Sequence, residues 1–223
     1  MAHINLFPLH TVLFPGMPLS LRIFEERYIL MINRCLDQNE PFGVVAIRQG
    51  MEANGPLPQP QQIGCRANII HVERLEHGRF NIIAIGDERF AIQEIDTANP
   101  YLAAEVENLP MILTPTMNIE RGVMALRPWI NAYLDLVSTL HPENAQPELL
   151  LSPSDFPEDP LALIYMAAAI LQIPLEEKQK LLEEEMGNLL LFHVSRLYRR
   201  EMAILRQLGR ISAINTPQTA ALN

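Results

Sequence analysis

CRANIIHVERLEHGRFNIIAIGDERFAIQEI, residues 65–95, reads as paired strands. Apolar and β-branched residues dominate both arms, and His77-Gly78 stands between them as a turn in which the glycine supplies a positive φ. The arms over 65–76 and 79–86 therefore predict an antiparallel hairpin, and 88–95 continues the series. On the N-terminal side, GVVAIR (43–48) is a β-rich run and 4–9 a short apolar one, while YLAAEVENL (101–109) follows on the other side. Five or six short strands at this spacing predict a closed or nearly closed barrel. LFPGMPLSL (13–21) carries a Pro-Gly turn leading into an extended stretch. Residues 24–36 switch to a helical period, with Phe24, Tyr28, Ile32, Cys35 and Leu36 on one face. The segment 49–62, with three prolines and two glycines, reads as a long irregular loop of the kind that binds or moves.

Beyond 110–115 the period becomes helical. A helix is expected over 118–140, with Pro128 as a kink or break. A loop with five prolines spans 141–160 and ends in Asp159-Pro160, an N-cap followed by proline at the first helical position. Helices follow over 161–172, 175–185 and 188–208. The last places Leu190, Leu197 and Ile204 seven apart, with Val194 and Leu208, as a stripe that belongs to a core or is offered to a partner. Arg196, Arg199 and Arg200 read as a solvated face. The fold class is thus α+β: a barrel domain with one packed helix over 1–112, a helical bundle over 113–210, and a flexible tail over 211–223.

The 223 residues carry a net charge of −9, which disfavours a phosphate-tracking surface. The longest apolar run, LALIYMAAAIL (161–171), falls short of the roughly 20 residues a membrane span needs, so no membrane role is expected. The N-terminus shows no basic-then-apolar leader. Cys35 and Cys65 form no disulfide framework and read as buried, reduced thiols in a cytoplasmic protein. The only lysines, Lys178 and Lys180, do not sit in G-x-x-x-x-G-K-[ST], so the phosphate-gripping loop is absent. Their carboxylate neighbours, Glu176, Glu177, Glu183 and Glu184, favour charged ammonium groups in surface ion pairs over an activated base. HExxH, CxxC and G-x-S-x-G are also missing. His3 with His10, or His71 with His77, could meet in space, but ordinary surface histidines are the simpler account. The expectation is a chain with no catalytic residue, no metal and no cofactor.

INLFPLHTVLFPGMPLSLRIFEERY (4–28) resembles the opening of the Lon protease substrate-binding domain family, through Pro8-Leu9, Val12, Phe14-Pro15-Gly16, Pro18-Leu19 and IFEERY (23–28). FGVVAI (42–47), IGCRANIIHVERLEHGRFNIIAIGDERFAI (63–92), YLAAEVENLP (101–110) and PLALIYMAAAILQIPLEEKQKLLEEE (160–185) resemble later family segments in the same order. IFEERY and the FPG turn look closer to stand-alone bacterial members than to full-length proteases. Where the family carries an arginine–leucine pair after the Q-x-L-L-E sequence, this chain has Met186-Gly187-Asn188-Leu189.

The resemblance implies a PUA-like β pseudo-barrel followed by a helical bundle. It also implies a non-catalytic module that binds unfolded or exposed protein segments, with a protease or chaperone as further partners. An RNA-binding protein built on the PUA-like barrel is the alternative, opposed by the acidic charge. Candidate peptide-binding residues are Phe14, Pro15 and Met17 as an apolar surface, with Arg22, Glu25 and Tyr28 as polar handles, and Arg89-Phe90 beside them. The competing reading is that these residues hold the barrel together. The oligomeric state is left open.

Overall fold

The structure, a computed structural model, describes residues 2–52, 55–114, 116–140 and 156–215. Its elements are β1 (Ala2–Leu9), β2 (Pro18–Ile23), α1 (Glu26–Gln38), β3 (Phe42–Gln49), β4 (Gln59–Arg74), β5 (Phe80–Asp96), β6 (Ala103–Asn108), α2 (Met117–Leu140), α3 (Pro160–Ile170), α4 (Leu175–Glu183) and α5 (Gly187–Asn215). These make the α+β class expected from the sequence. Contacts divide the chain into two compact units: Met1–Thr114 with Gln172–Leu190, and Pro115–Leu171 with Leu191–Asn223. Helix α4 therefore groups with the strands, whereas the sequence placed it among the later helices. Amphipathic spacing says that one face of a helix is buried, not which partner covers it.

In the first unit the strands are ordered β2-β5-β4-β3-β1-β6, and β6 pairs back onto β5. Five strands thus form a ring, with β2 outside it. One edge of β5 is shared: residues 80–85 pair with β2 and residues 90–96 with β6. Strand β1 also changes partner along its length, residues 2–5 pairing with β6 and residues 6–9 running parallel to β3. The ring is shut where β6 bridges β1 and β5. At the opposite end β2 pairs with β5 alone, and the ring stays open.

Helix α1 fills that opening. Tyr28, Met31, Ile32 and Cys35 join a buried cluster with Phe7 and Leu9 of β1 and Ile23 of β2. A second cluster, containing Ile4, Leu6, Val45, Phe90 and Val106, occupies the shut end. The two strands expected over 79–86 and 88–95 are one strand, β5. Gly86, near its middle, lets the FPG turn cross it: Gly16 N–H donates to the Gly86 carbonyl at 2.8 Å, and Gly86 N–H to the Met17 carbonyl at 2.9 Å. A Cβ at Gly86 would lie 2.3 Å from the Phe14 carbonyl oxygen. The hairpin turn needs positive φ at both His77 (62°) and Gly78 (70°).

In the second unit Asp159 caps α3 as read from the sequence, its carboxylate accepting from Ala162 N–H at 2.7 Å with Pro160 in the first turn. Pro128 does not end α2, which runs from Met117 to Leu140. The Tyr133 and Tyr198 rings meet edge to face at 5.4 Å, and Tyr198 donates to the Ala167 carbonyl at 2.9 Å. The buried face of α5 in this unit is Leu191, Val194, Tyr198 and Met202, while Ile204 and Leu208 are exposed. The expected seven-residue stripe is corrected to a spacing of three and four, because a straight α-helix drifts away from a strict heptad. The proline-rich loop falls mostly, and the tail partly, outside the described residues.

Candidate functional site

At the open end of the ring lies a recess of about 160 Å³, lined by Phe7 and Leu9 of β1, residues 20–23 of β2, Phe24, Glu25, Tyr28 and Glu52. Side chains alternate across a strand, so four consecutive residues border one recess only along the strand edge. The inward residues of β2 are Leu19, Leu21 and Ile23, and the outward ones Pro18, Ser20 and Arg22. The open edge of β2 thus faces a space whose walls are mostly apolar.

Tyr28 is set into this site by stacking on Phe7, with ring centroids 4.2 Å apart. The Arg27 guanidinium lies 4.7 Å from the Tyr28 ring centroid and pairs with Glu25 at 3.0 Å. Arg27 also donates to the Gly55 carbonyl at 3.2 Å and the Glu52 carbonyl at 3.4 Å, tying the loop after β3 to α1. Glu52 in turn accepts from the His10 backbone N–H at 2.6 Å and sits 3.2 Å from its Nδ1. Tyr28 is only 2% exposed, and its hydroxyl is buried without a hydrogen-bond partner. Burial pushes the Tyr28 pKa above its ordinary value of 10.0, against the opposing pull of Arg27. The group is a neutral hydroxyl with a donor to spare.

Of the residues nominated from sequence, Arg22, Glu25 and Tyr28 meet at this recess. Phe14 and Phe90 do not: each is 0% exposed, within the core. That corrects the reading of Phe14 as exposed apolar surface, because a turn crossing a strand at backbone distance buries whatever side chain it carries inward. Pro15 and Met17 are half-buried in that turn, and Met17 packs against the cluster beneath. Arg89 is buried as well, and donates to the carbonyls of Leu182, at 2.6 Å, and Glu184. These are orphan acceptors at the C-terminus of α4, where a cation is favoured, so Arg89 docks a helix. Gln179 assists, donating to the Ile63 carbonyl at 3.0 Å.

Sequence reasoning missed Phe7, Leu9 and Glu52. Phe7 and Leu9 stand two apart, the spacing of one strand face, and Glu52 lies in the loop nominated for binding. Lys178 is a second correction. Its pKa is lowered, and the cause is burial, which the sequence reading did not weigh. Both thiols are pushed up by burial, Cys65 to about 12, which makes them poor nucleophiles. Among the described residues no group of three His, Cys, Asp or Glu could hold a metal ion, and no helix is long and apolar enough to cross a membrane.

The family described as the ATP-dependent protease La (LON) substrate-binding domain matches residues 3–187. The Lon protease of Syntrophus aciditrophicus is 29% identical over 178 residues, covering 78% of this chain and 22% of that protein. That of Porphyromonas gingivalis is 30% identical over 173 residues, covering 77% and 20%. The chain therefore spans about a quarter or less of the curated relatives it matches. A crystal structure of a Lon N-terminal domain protein from Xanthomonas campestris shares the fold with a TM-score of 0.59 at 22% identity, covering 88% of this chain and 98% of that one. The N-terminal domain of Mycobacterium avium complex Lon protease does so at 0.58 and 16% identity, covering 89% and 98%.

Proposed function

The chain belongs to the family of ATP-dependent protease La (Lon) substrate-binding domains, and on that premise we propose that it is a non-catalytic module that binds exposed segments of other proteins. The observation that carries this reading is the recess at the open end of the ring, with mostly apolar walls and an unpaired strand edge. Such a site recognises backbone and one side chain, which suits clients of varied sequence. The absence of the phosphate-gripping motif G-x-x-x-x-G-K-[ST] from these 223 residues supports a module that does not turn over nucleotide. Delivery of the bound segment to a protease or chaperone is consistent with the relatives, which are named as proteases. RNA binding by the barrel is the weaker reading, since a net charge of −9 opposes a polyanion.

Equilibrium binding of reduced, carboxymethylated α-lactalbumin tests the proposal, with the native protein as control. The expected result is saturable binding of the denatured form, changing less than about threefold between 50 and 300 mM salt, as apolar and backbone contacts require. Casein incubated with the chain stays intact. A steep fall of affinity for single-stranded RNA with salt, and no binding of the denatured protein, would move the assignment to the alternative.

A further inference from the structure

We propose that the recess receives an extended peptide segment added as a strand to the free edge of β2, with one large apolar side chain in the recess and a carboxylate opposite Arg22. This rests on the protein-binding reading above and specifies what is bound.

The backbone supplies the first argument. Strand β2 pairs only with β5, and none of its described groups bonds elsewhere. Every second N–H and C=O of an antiparallel edge points away from its partner, so the outer edge presents a row of unused donors and acceptors. Residues 20–23, which carry that row, border the recess. The β1 segment across the opening is bonded to β3 and does not close it.

Volume supplies the second. A dry cavity of about 150 Å³ holds a benzene ring, and this recess measures about 160 Å³, with Phe7, Leu9, Leu21, Ile23 and Phe24 among its walls beside Arg22, Glu25 and Glu52. That is room for one phenylalanine or leucine side chain.

Charge supplies the third. Glu25 is paired with Arg27 and Glu52 with His10, whereas Arg22 is exposed on the outward face of β2 with no hydrogen bond or ion pair among the described residues. In a strand laid beside β2, the residue next to the recess-filling one points outward, to the side of Arg22. A carboxylate there completes an opposite-charge cross-strand pair. The preferred segment alternates apolar inward with polar outward, one outward position being acidic.

The test uses the full chain and a labelled blocked peptide, Gly-Thr-Phe-Glu-Val-Thr-Gly, beside the denatured α-lactalbumin. Two versions N-methylated at alternate residues, one for each edge, remove N–H donors without changing side chains. The proposal requires one of the two to bind at least about tenfold more weakly than the parent, the loss of more than one hydrogen bond. Arg22→Glu, at an exposed site where folding is undisturbed, should weaken the parent and strengthen the peptide with Lys in place of Glu, inverting the preference. Equal binding of both N-methylated peptides and the parent overturns strand addition. So does a dimer in light scattering that the peptide fails to dissociate, since a second copy then occupies the edge. Binding of denatured protein without any binding of the peptide defeats this proposal alone, and binding of neither defeats the protein-binding reading itself.

Discussion

Cys65 shows how a single buried group shapes the pH response. Its thiol is 0% exposed, and burial raises its pKa from 9.0 to about 12. The unfolded chain loses this proton near pH 9 while the folded chain keeps it, so above pH 9 the folded state holds more protons and stability falls as pH rises. The contribution is complete below pH 9 and is lost progressively toward pH 12, by about 3–4 kcal/mol at the upper end. Urea unfolding at pH 8, 9.5 and 11 should show this decline, and Cys65→Ala should flatten it from a lower starting stability. An unchanged slope in the variant would assign the alkaline loss to other groups, of which Tyr28 and Tyr198, both raised by burial, are the nearest candidates. The sequence told that the two cysteines form no disulfide framework and are buried, reduced thiols, as they are in the structure. The extent of their burial depends on which strand faces close over them.

Helix α4 belongs to the barrel through two side chains reaching across the chain. Arg89 of β5 answers the carbonyls left open at its C-terminus, and Gln179 of α4 answers a carbonyl of β4. Removing the cation leaves buried acceptors unsatisfied, at about 1–3 kcal/mol each. Arg89→Met, which keeps much of the side-chain volume, should therefore lower unfolding free energy by about 2–4 kcal/mol in denaturant titration. A cost below about 0.5 kcal/mol, the level of an ordinary surface change, would show that α4 is held by packing alone. The nearby Gly86 illustrates the same dependence on long-range approach. In the sequence it reads as an ordinary strand terminus, but the carbonyl of Phe14 lies where its Cβ would be.

At the scale of the molecule, the chain leaves the first unit after Thr114 and returns to it at Gln172. A fragment ending at Thr114 lacks α4 and strands the buried Arg89 guanidinium. It should unfold at lower urea than a chain in which Gln172–Leu190 is rejoined to Thr114 by a Gly/Ser linker, with slow-exchanging amides in β4 and β5 regained on rejoining. Identical midpoints for the two would mean that the strands close without the returning segment. The barrel-first order was legible because hairpin turns and period-two runs are local signals. The returning segment was not: the apolar helix at 160–170 and the charged, amphipathic helix at 175–183 each announce a buried face, but not the surface that covers it.

By itself, the sequence determined the α+β class, the order of strands and helices, the Asp159 cap, and the family resemblance carried by segments in fixed order. Each of these rests on short-range chemistry: alternation, capping, turn residues. Only the tertiary structure decided that Phe14 and Phe90 are core, that Arg89 docks a helix, and that Arg22, Glu25 and Tyr28 share a recess with Phe7 and Leu9. The reason is physical. A side chain's environment is set by the strand or helix that closes over it from elsewhere in the chain, and that closure leaves no mark on its immediate neighbours in sequence.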